Sequence, residues 1–331
     1  MIIHHLKRYI ELIILMILVL VVIWLYKADF GKNIKTEFGV TFSQKYVTSL
    51  NLDWHKMLID ILDELKVKDF RLVAYWDLIE LNKDNYNFAD LDWQINEIAK
   101  RDGKIILTIG QRVPRWPECH WPEWIYQVTP EERQVKVEQL IKEVVLRYKD
   151  NQNIIAWQVD NEPFLAIFGE CPRPDKKAYL DEVVLVRNLD TRPVIVTESG
   201  ELTTWLTGAR IADYLGVSLY RITWNKWFGY FHYPIPPAGY YLKAELIKKM
   251  TGIKTIFISE LQLEPWLGMS VLQTPIAEQM KSMSLDQFEK NVVYAKATGL
   301  SPIYTWGVEW WSWMKEQGDP SFWEASKELF N

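Results

Sequence analysis

From Phe38 to the C-terminus, short and mostly apolar runs alternate with longer stretches in which apolar residues return every three or four positions. Eight runs stand out, beginning near Phe38 (FGVTF), Phe70 (FRLVAYW), Lys104 (KIILTIG), Ile154 (IIAWQV), Pro193 (PVIVTE), Tyr214 (YLGVSLY), Lys254 (KTIFISE) and Pro302 (PIYTWG). Continuous apolar runs bounded by turn signals mark strands buried on both faces, as in an all-parallel sheet. The stretches between them, such as DWHKMLIDILDELKV and EERQVKVEQLIKEVVLRYK, carry the helical period, and several end at glycine or a charged turn. The least helical connection is GELTTWLTGARIAD, between the fifth and sixth runs. Eight strands alternating with helices and no break in composition predict one (β/α)₈ TIM barrel over residues 37–331. The alternative, an open doubly wound sheet, normally carries a glycine-rich loop after its first strand, and SQKYVTSLNLDW has no glycine.

The N-terminus follows a different pattern. From Tyr9 to Tyr26 (YIELIILMILVLVVIWLY) the only charge is Glu11, and no small-residue cleavage site follows. Residues 9–26 are therefore expected to be an uncleaved membrane anchor, preceded by a short basic segment (1–8) and followed by a polar linker (27–36). A buried helix of the domain is the alternative, because the strictly uncharged part begins only at Leu12. Lys7 and Arg8 favour a cytoplasmic N-terminus and an extracytoplasmic barrel, although Lys27, Lys32 and Lys35 dilute the asymmetry.

Composition narrows the function. With 38 Lys and Arg against 43 Asp and Glu, the formal net charge of −5 offers no basic surplus for a phosphate backbone, so nucleic acid is not an expected partner. The five histidines show no metal-ligand spacing, and neither a metal nor a cofactor is expected. Cys119 and Cys171 are too few for a disulfide scaffold; they form either one bridge, suited to an extracytoplasmic domain, or two free thiols. A monomer is expected.

In a barrel, all strand C-termini meet at one face, where loops build the chemistry. The predicted strand ends bring Arg71, Tyr75, Trp76 and Asp77 from the second strand, Gln111 and Arg112 from the third, and Asn161 and Glu162 from the fourth. Glu198, Tyr220 and Glu260 end the fifth, sixth and seventh, and Trp306 and Glu309 the eighth. Two glutamates at such ends are the minimum equipment for cleaving a glycosidic bond, one protonating the leaving oxygen while the other stabilises charge at the sugar carbon. Glu162 and Glu260 are the candidate pair, with Arg71 and Tyr220 placed to keep Glu260 anionic and Glu162 in the more apolar setting. Glu198 and Glu309 read as supporting carboxylates, and Glu80 and Glu264 equally as solvated positions.

Four segments, WQVDNEP, FISE, YTWG and FRLVAYW, together resemble the clan A retaining glycoside hydrolases, (β/α)₈ barrels with an Asn-Glu acid/base at strand four and a Glu nucleophile at strand seven. The resemblance covers nearly the whole chain after residue 36. It implies Glu162 as acid/base, Asn161 as donor to the sugar 2-hydroxyl, Glu260 as nucleophile, Arg71 and Tyr220 as its supports, and Trp306 as the floor under the reacting sugar. The sequence departs from the family at the end of strand three, where many members carry a histidine and this chain has Gly110, Gln111 and Arg112.

Of the 17 tryptophans, twelve fall at or after a predicted strand end, among them Trp76, Trp116 and Trp306. Sugar rings pack their C–H faces on aromatic rings, so this skew points to a cleft for several sugar units, with some of the twelve packing loops instead. Gln111, Trp76 and Trp116 join the candidate substrate-binding residues. The expected function is a membrane-anchored retaining β-glycoside hydrolase acting on a β-linked polysaccharide or oligosaccharide. A transglycosylase would use the same residues, and a non-catalytic carbohydrate-binding barrel would not need both glutamates.

Overall fold

The structure, a computed structural model, describes residues 2–330. Six strands come first: β1 (Phe38–Thr41), β2 (Asp69–Val73), β3 (Lys104–Ile109), β4 (Ile154–Val159), β5 (Val194–Glu198) and β6 (Tyr214–Leu219). A small antiparallel hairpin of β7 (Ile222–Asn225) and β8 (Gly229–His232) follows, then β9 (Thr255–Gln262) and β10 (Ile303–Trp306). All but the hairpin are parallel and close in the order β1-β10-β9-β6-β5-β4-β3-β2. Each barrel strand starts within a residue of its predicted position, because the apolar runs have to be buried on both faces. Inside the barrel, Ile106, Ala156, Ile195, Phe257 and Tyr304 form a compact cluster. Outside it, Leu72, Leu107, Trp157, Val196 and Val217 pack against helix residues such as Ile61, Ile98 and Val144 in one continuous core.

Helix starts follow local chemistry. Asp53, Thr129, Asp175 and Ser284 each accept backbone N–H bonds from the first turn of the helix they precede. The connection between β5 and β6 holds only a four-residue helix, Leu206–Ala209.

The N-terminal helix runs Ile2–Lys27, and its segment Lys7–Lys27 is long and apolar enough to cross a membrane, with none of it buried. Within the expected polar linker, residues 27–36, Phe30 and Gly31 lie against the barrel while Lys32, Asn33, Ile34 and Lys35 are exposed. Phe30 stacks on Tyr241 with ring centroids 3.9 Å apart, and its N–H donates to Ala297 O at 3.0 Å. An aromatic ring finds a partner there, and Gly31 lets the backbone approach the Lys296 carbonyl, where a Cβ would sit only 1.9 Å away.

Candidate active site

The C-terminal ends of β2, β4 and β9 meet at one guanidinium. Arg71, fully buried on β2, donates from Nη1 to Glu260 Oε1 at 2.8 Å, from Nη2 to Asn161 Oδ1 at 2.7 Å and from Nε to Gln158 Oε1 at 2.7 Å. Tyr220, just beyond β6, donates its hydroxyl to Glu260 Oε2 at 2.9 Å. Both oxygens of Glu260 therefore accept a hydrogen bond, one of them charge-assisted.

Glu162 has different surroundings. It leaves β4 in a left-handed conformation, φ +44°, with its N–H bonded to Thr197 Oγ1 at 2.8 Å. Its Oε1 accepts one bond, from Ser218 Oγ at 3.1 Å. Burial pushes its carboxyl well above the usual range, and the nearby charges of Glu260, Glu118 and Glu201 push it further. The two carboxyls thus have unlike surroundings, Glu260 paired with a guanidinium and a phenol, Glu162 buried with a single hydroxyl donor.

The loops after β3 and β4 are locked to each other. Asp160 Oδ1 accepts from Arg112 N at 3.0 Å, and Arg112 in turn donates to Asn161 O and Phe168 O. Gly110 sits at φ +112°, and a Cβ there would lie 2.2 Å from Asp160 Oδ1, so only glycine fits. Of the two alternatives left by the sequence, the structure has Cys119 and Cys171 as a disulfide, Cα–Cα 5.4 Å. Above the pair, an aromatic row runs from Trp116 through Phe168 and Trp266 to Tyr220, with centroids 5.1–5.6 Å apart.

With this geometry the chain matches solved glycoside hydrolases over most of its length. A family 42 β-galactosidase from G. stearothermophilus superposes with TM-score 0.62 at 13% identity, covering 92% of this chain and 57% of that one. A family 10 endo-β-1,4-xylanase from Gloeophyllum trabeum gives TM-score 0.58 at 17% identity, covering 92% of this chain and 100% of that one. The barrel has the clan A glycoside hydrolase fold. In sequence, a β-galactosidase of Lactobacillus acidophilus is 28% identical over 105 residues, 26% of this chain and 16% of that protein. The chain thus spans only a small part of that relative's length. No protein-family model matches.

The structure brings Glu162, Glu260, Asn161, Arg71 and Tyr220 together, while the other candidates have varied surroundings. Trp76 is buried in the core, donating Nε1 to Glu80 at 2.7 Å, and leaves no ring face for a sugar. Gln111 lines a cavity of about 570 Å³ together with Asp160, Glu182 and both bridged cysteines. Trp116 is 59% exposed at the rim. Trp306 is nearly covered, with the Arg115 guanidinium 4.1 Å from its ring centre. Among the twelve tryptophans credited to a cleft, Trp205, Trp310 and Trp311 are fully buried as well.

Glu80 and Glu264, read as equally suited to solvent, are both buried. Glu80 accepts from Trp76 and Asp84, and Glu264 pairs with Arg115, which also bonds Glu309 at 2.5 Å. The strand-end rule missed Arg115 and Glu118 because both return to the site from a long loop. Glu118 Oε2 accepts from Asn161 Nδ2 at 3.1 Å, and burial pushes its carboxyl up to about 8. Its one sequence signal is the neighbouring Cys119.

Proposed function

We propose that this chain is a retaining β-glycosidase, fixed to a membrane by residues 7–27 with its barrel on the extracytoplasmic side, and that Glu162 and Glu260 are its catalytic pair. The observation that carries the reading is the sharing of Arg71 between Glu260 and Asn161, beside a buried Glu162 whose carboxyl burial pushes well above its usual range. In the first step Glu260 attacks the anomeric carbon, Glu162 gives its proton to the departing glycosidic oxygen, and a glycosyl ester forms on Glu260. Forming the ester removes the Glu260 charge that raises the Glu162 carboxyl, so Glu162 becomes the better base. It then takes a proton from water as that water attacks the anomeric carbon, and Glu260 leaves as carboxylate.

The substrate class is a β-linked glycan. The likeness to β-galactosidases and a xylanase supports beginning a substrate panel with β-galactosides and xylan. A Glu260→Ala enzyme is expected to be inactive until azide is added, and then to release a glycosyl azide of inverted configuration. A Glu162→Ala enzyme should still glycosylate from an activated leaving group and stall afterwards. Ordinary turnover of an unactivated glycan by Glu162→Ala would overturn the assignment.

A further inference from the structure

The hairpin that follows β6 ends in an unpartnered aromatic tip. Trp227 is 76% exposed and Phe228 82%, while Lys226 Nζ lies 5.1 Å over the Trp227 ring. The hairpin's inner side is committed to the barrel: Trp224 packs on Gly268, and the Tyr230 hydroxyl donates to Glu278 Oε1 at 3.0 Å. Phe231, on β8, is also exposed. Directly after the hairpin, the helix Pro237–Thr251 turns Leu242, Leu246 and Met250 outward. These are spaced i, i+4 and i+8 on one face, where a surface helix ordinarily carries polar residues. Exposed apolar surface that is continuous in this way marks a site of contact.

The apolar N-terminal helix ends between these two surfaces. Tyr26, in its last turn, donates its hydroxyl to Pro234 O at 2.8 Å, and Pro234 lies in the short connector from hairpin to helix. Four residues on, Phe30 stacks on Tyr241 of that same helix.

We propose that the hairpin tip and the outer Leu242–Leu246–Met250 stripe rest on the lipid bilayer, with Trp227 and Phe228 at the boundary between headgroups and acyl chains. The inference rests on the reading of residues 7–27 as a membrane anchor, which would bring the bilayer to this side of the barrel. Tryptophan suits that boundary because its ring is apolar and its N–H is wet. Lys226 and Lys249 are placed to meet anionic phosphates while their stems stay on apolar surface, whereas Lys248 is paired with Glu245 at 2.9 Å. A sugar-stacking role is the competing use of an exposed tryptophan, but the Lys226 ammonium already sits on the Trp227 ring. Because the hairpin springs from the same barrel face as Glu162 and Glu260, this contact holds the catalytic mouth beside the bilayer surface. The substrate would then be a glycan presented close to the membrane.

The test uses the full chain in vesicles of phosphatidylcholine and phosphatidylglycerol. Its native cysteines are bridged, so single cysteines at Trp227→Cys, Leu246→Cys and, as a control on a distant helix, Val135→Cys take a fluorescent bimane label. Labels at 227 and 246 are expected to lose most of their fluorescence to nitroxide-bearing lipid and little to aqueous iodide, with the reverse at 135. Iodide quenching at 227 and 246 equal to that at 135 would overturn the contact. Extraction by alkaline carbonate separates the two readings: protein that is stripped off refutes the anchor, whereas protein retained with iodide-accessible labels refutes only the contact. If the contact fails and detergent-dispersed Trp227→Ala also loses turnover of a soluble oligosaccharide, the tip is a glycan-binding element.

Discussion

At Asn161 both ends of the side-chain amide are bonded, Oδ1 to Arg71 and Nδ2 to Glu118, which fixes the direction of the second Nδ2 hydrogen. In the proposed glycosidase Glu118 would act on substrate through Asn161, and its charge raises the Glu162 carboxyl. Four groups face Glu162: Glu260, Glu118, Glu201 and the Ser218 hydroxyl; the three carboxylates raise its carboxyl and the hydroxyl lowers it. Glu118→Gln keeps an acceptor for Asn161 and deletes a like charge. Its alkaline limb in kcat/KM against pH is expected to move to lower pH, with folding unchanged. Glu118→Ala, which also frees the amide, is expected to lose roughly tenfold or more in kcat/KM, an ordinary cost for loosening a group that binds the transition state. A Glu118→Gln profile superimposable on the parent's would show that Glu118 only fills space.

At the scale of elements, the barrel strands were legible because burial on both faces leaves a plain pattern of apolar runs, and strand-end chemistry then brought out Glu162 and Glu260. Glu118 and Arg115 were not legible, since no periodicity reports where a loop from Gln111 to Val128 returns. The tryptophan skew misled for a related reason. Trp310 and Trp311 follow a strand end in sequence but sit in the helix Val308–Glu316, whose packing against the Phe288 and Phe322 rings hides them. What fixes the informative loops is the bridge from Cys119 to Cys171, 52 residues apart. In the chain-entropy account a closed loop of that size stabilises by about 4 kcal/mol, and observed bridges typically give 2–4. A Cys119→Ser, Cys171→Ser enzyme is expected to lose about 2–4 kcal/mol in denaturant unfolding. It is also expected to lose activity in buffer where it remains folded, because Glu118 adjoins one half of the bridge and Phe168 lies near the other. Full activity in the folded variant would mean that the loops hold without it.

For the whole molecule, the barrel mouth gathers more buried carboxyls than cations to pair with them, and stability must follow pH accordingly. Burial pushes Glu118 up to about 8, and Asp160, Glu201 and Glu264 up to about 7, from ordinary values of 4.5 for Glu and 3.8 for Asp. Each of these groups keeps its proton in the folded chain at a pH where the unfolded chain has lost it, so the folded state binds more protons across that interval. Stability from these groups is therefore fully present below about pH 4 and is lost as pH rises toward 7–8. His120 works in the opposite direction and lower down: buried and neutral, with its ring pushed down to about 4, it favours folding above the ordinary histidine value of 6.5 and loses that contribution as pH falls toward 4. Lys243, pushed down to about 8, adds stability only above that pH. Between pH 6.5 and 8 the carboxyls act with little opposition. The thermal midpoint of the full chain in detergent is expected to fall steadily across that interval, by roughly 2–4 °C for each kcal/mol lost in a domain of this size. Replacing Glu118 by Gln removes the carboxyl pushed highest of the four and should flatten the upper end of the decline; a midpoint that rose from pH 6.5 to 8 would mean that these four carboxyls are ionised in the folded barrel.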